Sequence, residues 1–350
     1  MDNGTMVAVS KKYHQRRPIG APHFLLAAIL FFTTAMSTLS ISCAIPVGIW
    51  GGLPYTEDGT ELERLTDEYG MTIVVTTMEA GYAVNSFLPR MKANGWKAVI
   101  RFSDNWTKDP DDDSGCGGEG KFSLSAFKDS LVDRLYDTDE YRAEIQAYVD
   151  DGTLLAVLMA DDVMNYGAFG WDDCDPKPFG LNLMAKHLKD LWDGIQVWIR
   201  IDPTDLKERY DDPAFWPGGA GKIRPFNQYI DAVIAQYSRA VSTPAYSTRY
   251  ATVQQSAADA LGMDMVCGLN IADGGNGNSG QEGWRGPGFY TMTPTEVSWY
   301  GRNLIKNSDC KYMLLWEFDG EEVWPDGTIG GEYFEADDDY KDSILRLEAA

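Results

Sequence analysis

From residue 45 onward, short apolar runs alternate with segments whose apolar residues recur every three to four positions. The runs are Pro46–Trp50, Thr72–Met78, Lys97–Phe102, Thr153–Ala160, Gln196–Ile201, Ile230–Gln236, Met263–Ile271 and Tyr312–Glu317. They are nearly continuous rather than alternating, the pattern of parallel strands covered on both faces. The intervening segments carry helix signals. Thr60-Glu61-Leu62-Glu63 is a capping box, and Gly70 ends its helix. Thr293-Pro294-Thr295-Glu296 combines a cap with proline at the first helical position, and Met184, Leu188, Leu191 and Trp192 share one helical face closed by Gly194. The sixth strand competes with a single long helix from Pro225 to Ala240, whereas Thr248–Leu261 reads as a helix throughout.

Eight strands alternating with helices predict an α/β fold of the (β/α)8 TIM-barrel class, one domain over residues 45–350. The loops are unequal. Ser103–Lys121, Asp161–Phe179, Asp202–Arg224 and Asp273–Met292, which follow strands three, four, five and seven, are long and rich in Gly, Asp and aromatic residues. Loops on this side build the active sites of such barrels.

Residues 1–44 read as targeting rather than fold. Lys11, Lys12, Arg16 and Arg17 precede the apolar run Phe24–Ala35, and Ser42 and Ala44 fit a signal-peptidase site. An uncleaved anchor, a lipidated Cys43 and a twin-arginine signal remain as alternatives. Secretion or an extracytoplasmic location is the expectation, with membrane contact only through this segment. Export leaves Cys116, Cys174, Cys267 and Cys310. Cys116–Cys174 is the favoured disulfide, joining two long loops; Cys267 and Cys310 lie on or beside adjacent strands, as a second bridge or as buried thiols.

The chain carries 53 acidic and 30 basic residues, a net charge of −23. That field repels nucleic acid, so no nucleic-acid partner is expected. His187 is the one histidine beyond the leader, on a helix and near an apolar face, which leaves no His-based triad or zinc site. Neither a GxxxxGK[ST] loop nor a strand-linked GxGxxG is present, and Asp109–Asp113 matches a calcium loop only in part. No cofactor and no metal are expected.

Polar residues gather at the predicted strand ends: Glu79 after strand two, Arg101 and Asp104 at strand three, Asp161 and Asp162 at strand four, Arg200 and Asp202 at strand five. Gln236 follows at strand six, Asn270 and Asp273 at strand seven, and Glu317 and Asp319 at strand eight. Alternation allows only one of Asp161 and Asp162 to face inward, and if Glu317 points into the mouth, Trp316 points toward the helices. A strand-four Asp opposite Glu317 supplies the two carboxyl groups that glycoside hydrolysis needs, with either as the acid. Arg101 and Arg200 stand as binders of substrate carboxylates, as tuners of a neighbouring acid or as a structural ion pair. Eleven tryptophans are many for this length. Trp50, Trp106, Trp171, Trp216, Trp284 and Trp324 fall at strand ends or in the long loops, where flat rings can stack on sugars or simply pack.

With these features in place, residues 45–350 resemble the glycoside hydrolase superfamily of (β/α)8 barrels, and the segments Gly268-Leu269-Asn270 through Gly277 and Met292-Thr293-Pro294 through Gly301 are similar to secreted bacterial barrel proteins. Retaining members of that superfamily often carry Asn-Glu at strand four and Glu at strand seven. Here strand four ends Ala160-Asp161-Asp162, strand seven ends Asn270-Ile271-Ala272-Asp273, and the DxxDxDxE chitinase pattern is absent. The resemblance implies a carbohydrate substrate. A barrel that binds carbohydrate without cleaving it, and a membrane-anchored surface interaction protein, are the alternatives.

Overall fold

The structure, a computed structural model, describes residues 45–50, 60–102, 124–161, 178–204, 206–207, 229–237, 244–280, 282–283, 286–316 and 338–348. The unit carrying the barrel runs from Ser42 to Ala350. Its strands are β1 (Val47–Trp50), β2 (Ile73–Thr77), β3 (Lys97–Arg101), β4 (Leu154–Ala160), β5 (Gln196–Arg200), β6 (Ala232–Tyr237), β7 (Asp264–Asn270) and β10 (Cys310–Trp316). They close in the order β1-β10-β7-β6-β5-β4-β3-β2, every neighbour parallel. All eight predicted strands are present, each within two residues of its expected ends. The long-helix alternative for residues 225–240 is excluded by β6, which pairs with β5 and β7.

Alternation along the strands splits the core in two. One set of side chains fills the barrel interior, among them Val75, Val99, Leu158, Trp198, Ile234 and Leu314. The other set, including Val74, Ile100, Val157, Val197, Val233 and Leu315, packs outward against helices. Trp198 stacks on Tyr312 inside, with centroids 5.3 Å apart and planes at 35°, and Trp198 Nε1 donates to Gln196 Oε1 at 3.0 Å. Burial pushes the Tyr312 hydroxyl pKa up. Gly48 is required by close approach: a Cβ there would lie 2.6 Å from Ile73 Cβ and 2.7 Å from its carbonyl oxygen.

The helices follow their signals. Pro294–Asn307 begins with the full capping box, Thr293 accepting from Glu296 N while Glu296 accepts from Thr293 N at 2.8 Å. Pro178–Leu191 and Pro244–Leu261 cover the segments read as helices. The segment after β2 is less regular than its sequence suggests, passing from Ala80–Tyr82 through a wider π turn, Ala83–Phe87, into Leu88–Ala93. One addition was not foreseen. The loop after β7 folds back as a two-stranded antiparallel hairpin, β8 (Glu282–Gly283) with β9 (Gly286–Tyr290).

Cys267 and Cys310 form a disulfide between β7 and β10, with Cα atoms 5.6 Å apart. The register of the two strands shifts between Cys310 and Tyr312. Cys116 and Cys174 lie outside the described residues. No helix among the described residues is long and apolar enough to cross a membrane.

Candidate functional site at the barrel mouth

Three strand ends converge on one carboxylate. Arg101 closes β3, Arg200 closes β5, and Asp161 follows β4 between them. The arginines reach the interior by simple alternation, two residues beyond inward-facing Val99 and Trp198. Asp161 does not. Counting from inward-facing Leu158, Ala160 should face in and Asp161 out. The β4–β5 register shifts between Leu158 and Ala160, and Met159 and Ala160 both pack in the outer layer. This bulge turns Asp161 toward the arginines, which is how barrels re-aim side chains at a rim. Sequence alternation offered Asp161 or Asp162 for the inward position; among the described residues the bulge gives it to Asp161. Asp162 lies outside them.

Asp161 is 5% exposed. Its Oδ2 lies 2.9 Å from Arg101 Nη2, and its Oδ1 pairs with Arg200 Nε. Arg200 then reaches over the opening, its guanidinium carbon 5.1 Å from the ring centroid of Trp50 on β1. In the strand order β1 and β5 stand diametrically opposite, so this cation–π contact spans the mouth. Trp50 Nε1 is buried without a hydrogen-bond partner among the described residues, and so is Arg101 Nε. Each oxygen of the carboxylate thus faces a guanidinium.

The opposite wall is set by β7 and β10. Trp316 packs with Leu314 and Tyr312 on the interior side, and it pairs in register with both Trp50 and Asn270. Trp316 also packs against the outer, helix-facing cluster. Glu317 and Asp319 lie outside the described residues. Trp316 is the mouth residue that sequence reasoning missed. Its signal was there, since Tyr312, Leu314 and Trp316 share one period-two face.

The remaining candidates separate. Asn270 and Asp273 are buried, and Asn270 Oδ1 accepts from Asp273 N at 2.8 Å. A Cβ on Gly283 of the hairpin would fall 2.3 Å from Asp273 Oδ1, so Asp273 sits directly beneath that hairpin. Asp202 holds the turn after β5: it accepts from Thr204 N at 2.8 Å and from Gln254 Nε2 at 2.8 Å. Glu79 is mostly exposed and pairs with Arg134 on the helix layer. Gln236 lies on β6 opposite Gly268. Asp104, Trp106, Trp171, Trp216, Trp284 and Trp324 lie outside the described residues. His187 is far from this chemistry, on Pro178–Leu191 with its ring edge-on to Phe127. A groove of about 650 Å³ bordered by Trp299, Arg302, Asp342 and Arg346 also belongs to the helix layer, between Pro294–Asn307 and Asp338–Glu348. Among the described residues no group of three His, Cys, Asp or Glu is placed to hold a metal ion.

No family model and no curated protein matches the sequence. Solved structures do match. An exo-β-1,4-mannosidase from Opitutaceae bacterium strain TAV5 superposes with a TM-score of 0.53 at 11% identity, over 87% of this chain and 60% of that one. A fungal β-1,4-galactanase gives 0.51 at 11% identity, over 88% and 100%. A glycoside hydrolase-like protein gives 0.50 at 12% identity, over 87% and 94%. The chain has the architecture of glycoside hydrolase TIM barrels, at an identity that speaks for the fold alone.

Proposed function

We propose that this protein is a secreted carbohydrate-active barrel that holds a glycan across its C-terminal mouth and cleaves it with a strand-four aspartate and Glu317. The carrying observation is Asp161, buried at the mouth between two arginines of the flanking strands. Asp161, ion-paired with two guanidiniums, and Glu317 are assigned as the two carboxyl groups, either one serving as the acid and the other as the base or nucleophile. Trp50 and Trp316 provide aromatic faces beside Asp161, and Trp106, Trp171, Asp104 and Asp319 are assigned to the substrate-contacting loops. The apolar leader and the Cys267–Cys310 disulfide support export.

The test is release of reducing ends from a panel of neutral and acidic polysaccharides. At least one should be cleaved, and Asp161→Asn and Glu317→Gln should each lower turnover by about 10²–10⁴-fold. Unchanged turnover in both, and in Asp162→Asn, removes the site assignment. The second reading is a barrel that binds glycan without cleaving it. It is favoured by the same carboxylate, nearly inaccessible and ion-paired with two arginines. Retention on a glycan column with no product from any substrate would select it.

A further inference from the structure

We infer that the mouth selects a glycan bearing a carboxylate, a uronate residue, and that Arg101 is the group that reads it. This rests on the proposed glycan-binding function and adds the substrate class to it.

Two guanidiniums flank the carboxylate of Asp161. The two are not equivalent. The Arg200 side chain is 11% exposed and lies across Trp50, whereas that of Arg101 is 34% exposed. Arg101 meets Asp161 through Nη2, and its buried Nε has no partner among the described residues. A guanidinium has five N–H donors in a planar fork, and Arg101 uses one edge of it. A buried guanidinium N–H left without an acceptor is costly. A planar carboxylate is the ligand whose geometry answers it, through paired charge-assisted hydrogen bonds. A neutral sugar hydroxyl offers neither the charge nor the two parallel acceptors. The overall charge of −23 does not oppose this. At physiological salt a field decays over about 8 Å, so the adjacent guanidinium governs what binds at the mouth. Trp50 Nε1, also buried without a partner, marks a second unanswered donor at this end of the barrel. Asp161 acts here as a positioning residue, fixing Arg101 by one nitrogen while leaving the rest of the fork.

The experiment compares matched ligands. Oligosaccharides containing galacturonate, glucuronate or mannuronate are each titrated calorimetrically beside the same oligosaccharide with its carboxyls reduced to alcohols, into the full chain at 0.15 M salt. The acid form of at least one pair should bind about tenfold or more tightly than its reduced form. In Arg101→Gln that ratio should fall to within about twofold. Arg101→Lys keeps the charge on Asp161 and guards against misfolding of the first variant; it should lose at least part of the ratio, because an ammonium cannot make the paired contact. Equal binding of acid and reduced forms by the wild type overturns the inference, as does a ratio that survives both substitutions. Binding or cleavage confined to neutral glycans overturns it while leaving the proposed function in place. Failure to bind or cleave any glycan overturns both.

Discussion

The two ends of the barrel handle charge in opposite ways. At the floor, charged groups are paired with fixed backbone and with one another near the surface. Asp231 accepts from Val197 N at 2.7 Å and from Lys189 Nζ, which also donates to the Ile195 carbonyl at 3.0 Å. Both side chains remain partly exposed. Lys311 pairs with Asp309 at the surface. At the mouth, Asp161 and Arg200 are almost fully buried, with unused donors on Arg101 and Trp50 beside them. Burying ions costs free energy that a hydrophobic filling would avoid. The floor is built for closure of the fold; the mouth keeps an arrangement that closure does not require. That asymmetry, more than resemblance of architecture, directs attention to Asp161.

The sharpest way to break the comparison is to remove one carboxylate at each end. Asp161→Asn leaves two guanidiniums facing a neutral amide and should lower unfolding free energy by about 3 kcal/mol in urea titration, most of it from the buried Arg200 pair. A loss under about 1 kcal/mol would mean that the mouth is no more demanding than the surface. Next in size is the disulfide. Cys267 and Cys310 close a loop with a sequence separation of 43, so reduction, or Cys267→Ser with Cys310→Ser, should cost about 2–4 kcal/mol, read as a lower melting temperature. Gly48→Ala drives a methyl against β2 backbone and should destabilise by about 1–3 kcal/mol, locating close packing within the barrel wall itself. At the floor, Asp231→Asn should cost only about 1 kcal/mol, since its pair with Lys189 is screened by solvent.

The smallest effect is a pH dependence far from both ends. Burial holds the His187 pKa below its ordinary value, with Lys128 acting in the same direction. The unfolded chain therefore takes up a proton that the folded chain resists. Stability is full above the unfolded value near 6.5 and declines as pH falls below it. His187→Gln should flatten that decline in denaturation midpoints between pH 7 and 5; an unchanged slope would place the titrating group elsewhere.

The barrel was legible because its strands are buried on both faces, and continuous apolar runs such as Leu154–Ala160 have few other readings. The hairpin after β7 was not, since Gly286–Tyr290 reads Gly-Pro-Gly-Phe-Tyr, with no apolar alternation to announce a strand. The site was legible as a set of strand ends but not as an arrangement. Position at the strand ends put Arg101 and Arg200 at the mouth. Alternation could not choose between Asp161 and Asp162 because a bulge adds one residue without any sequence mark. The Cys267–Cys310 bridge was open between a disulfide and buried thiols because a place on or beside adjacent strands does not fix the distance and direction of the two Cβ atoms.

The central claim is that the mouth, and not the floor, is the working end. Glycan cleavage by purified Asp161→Asn and Asp231→Asn, measured side by side on the best substrate of the wild-type protein, tests it most directly. A fall of about 10²-fold or more in the first, with the second within about twofold of wild type, is the expected result. Full turnover by Asp161→Asn, or an equal loss in Asp231→Asn, would contradict it.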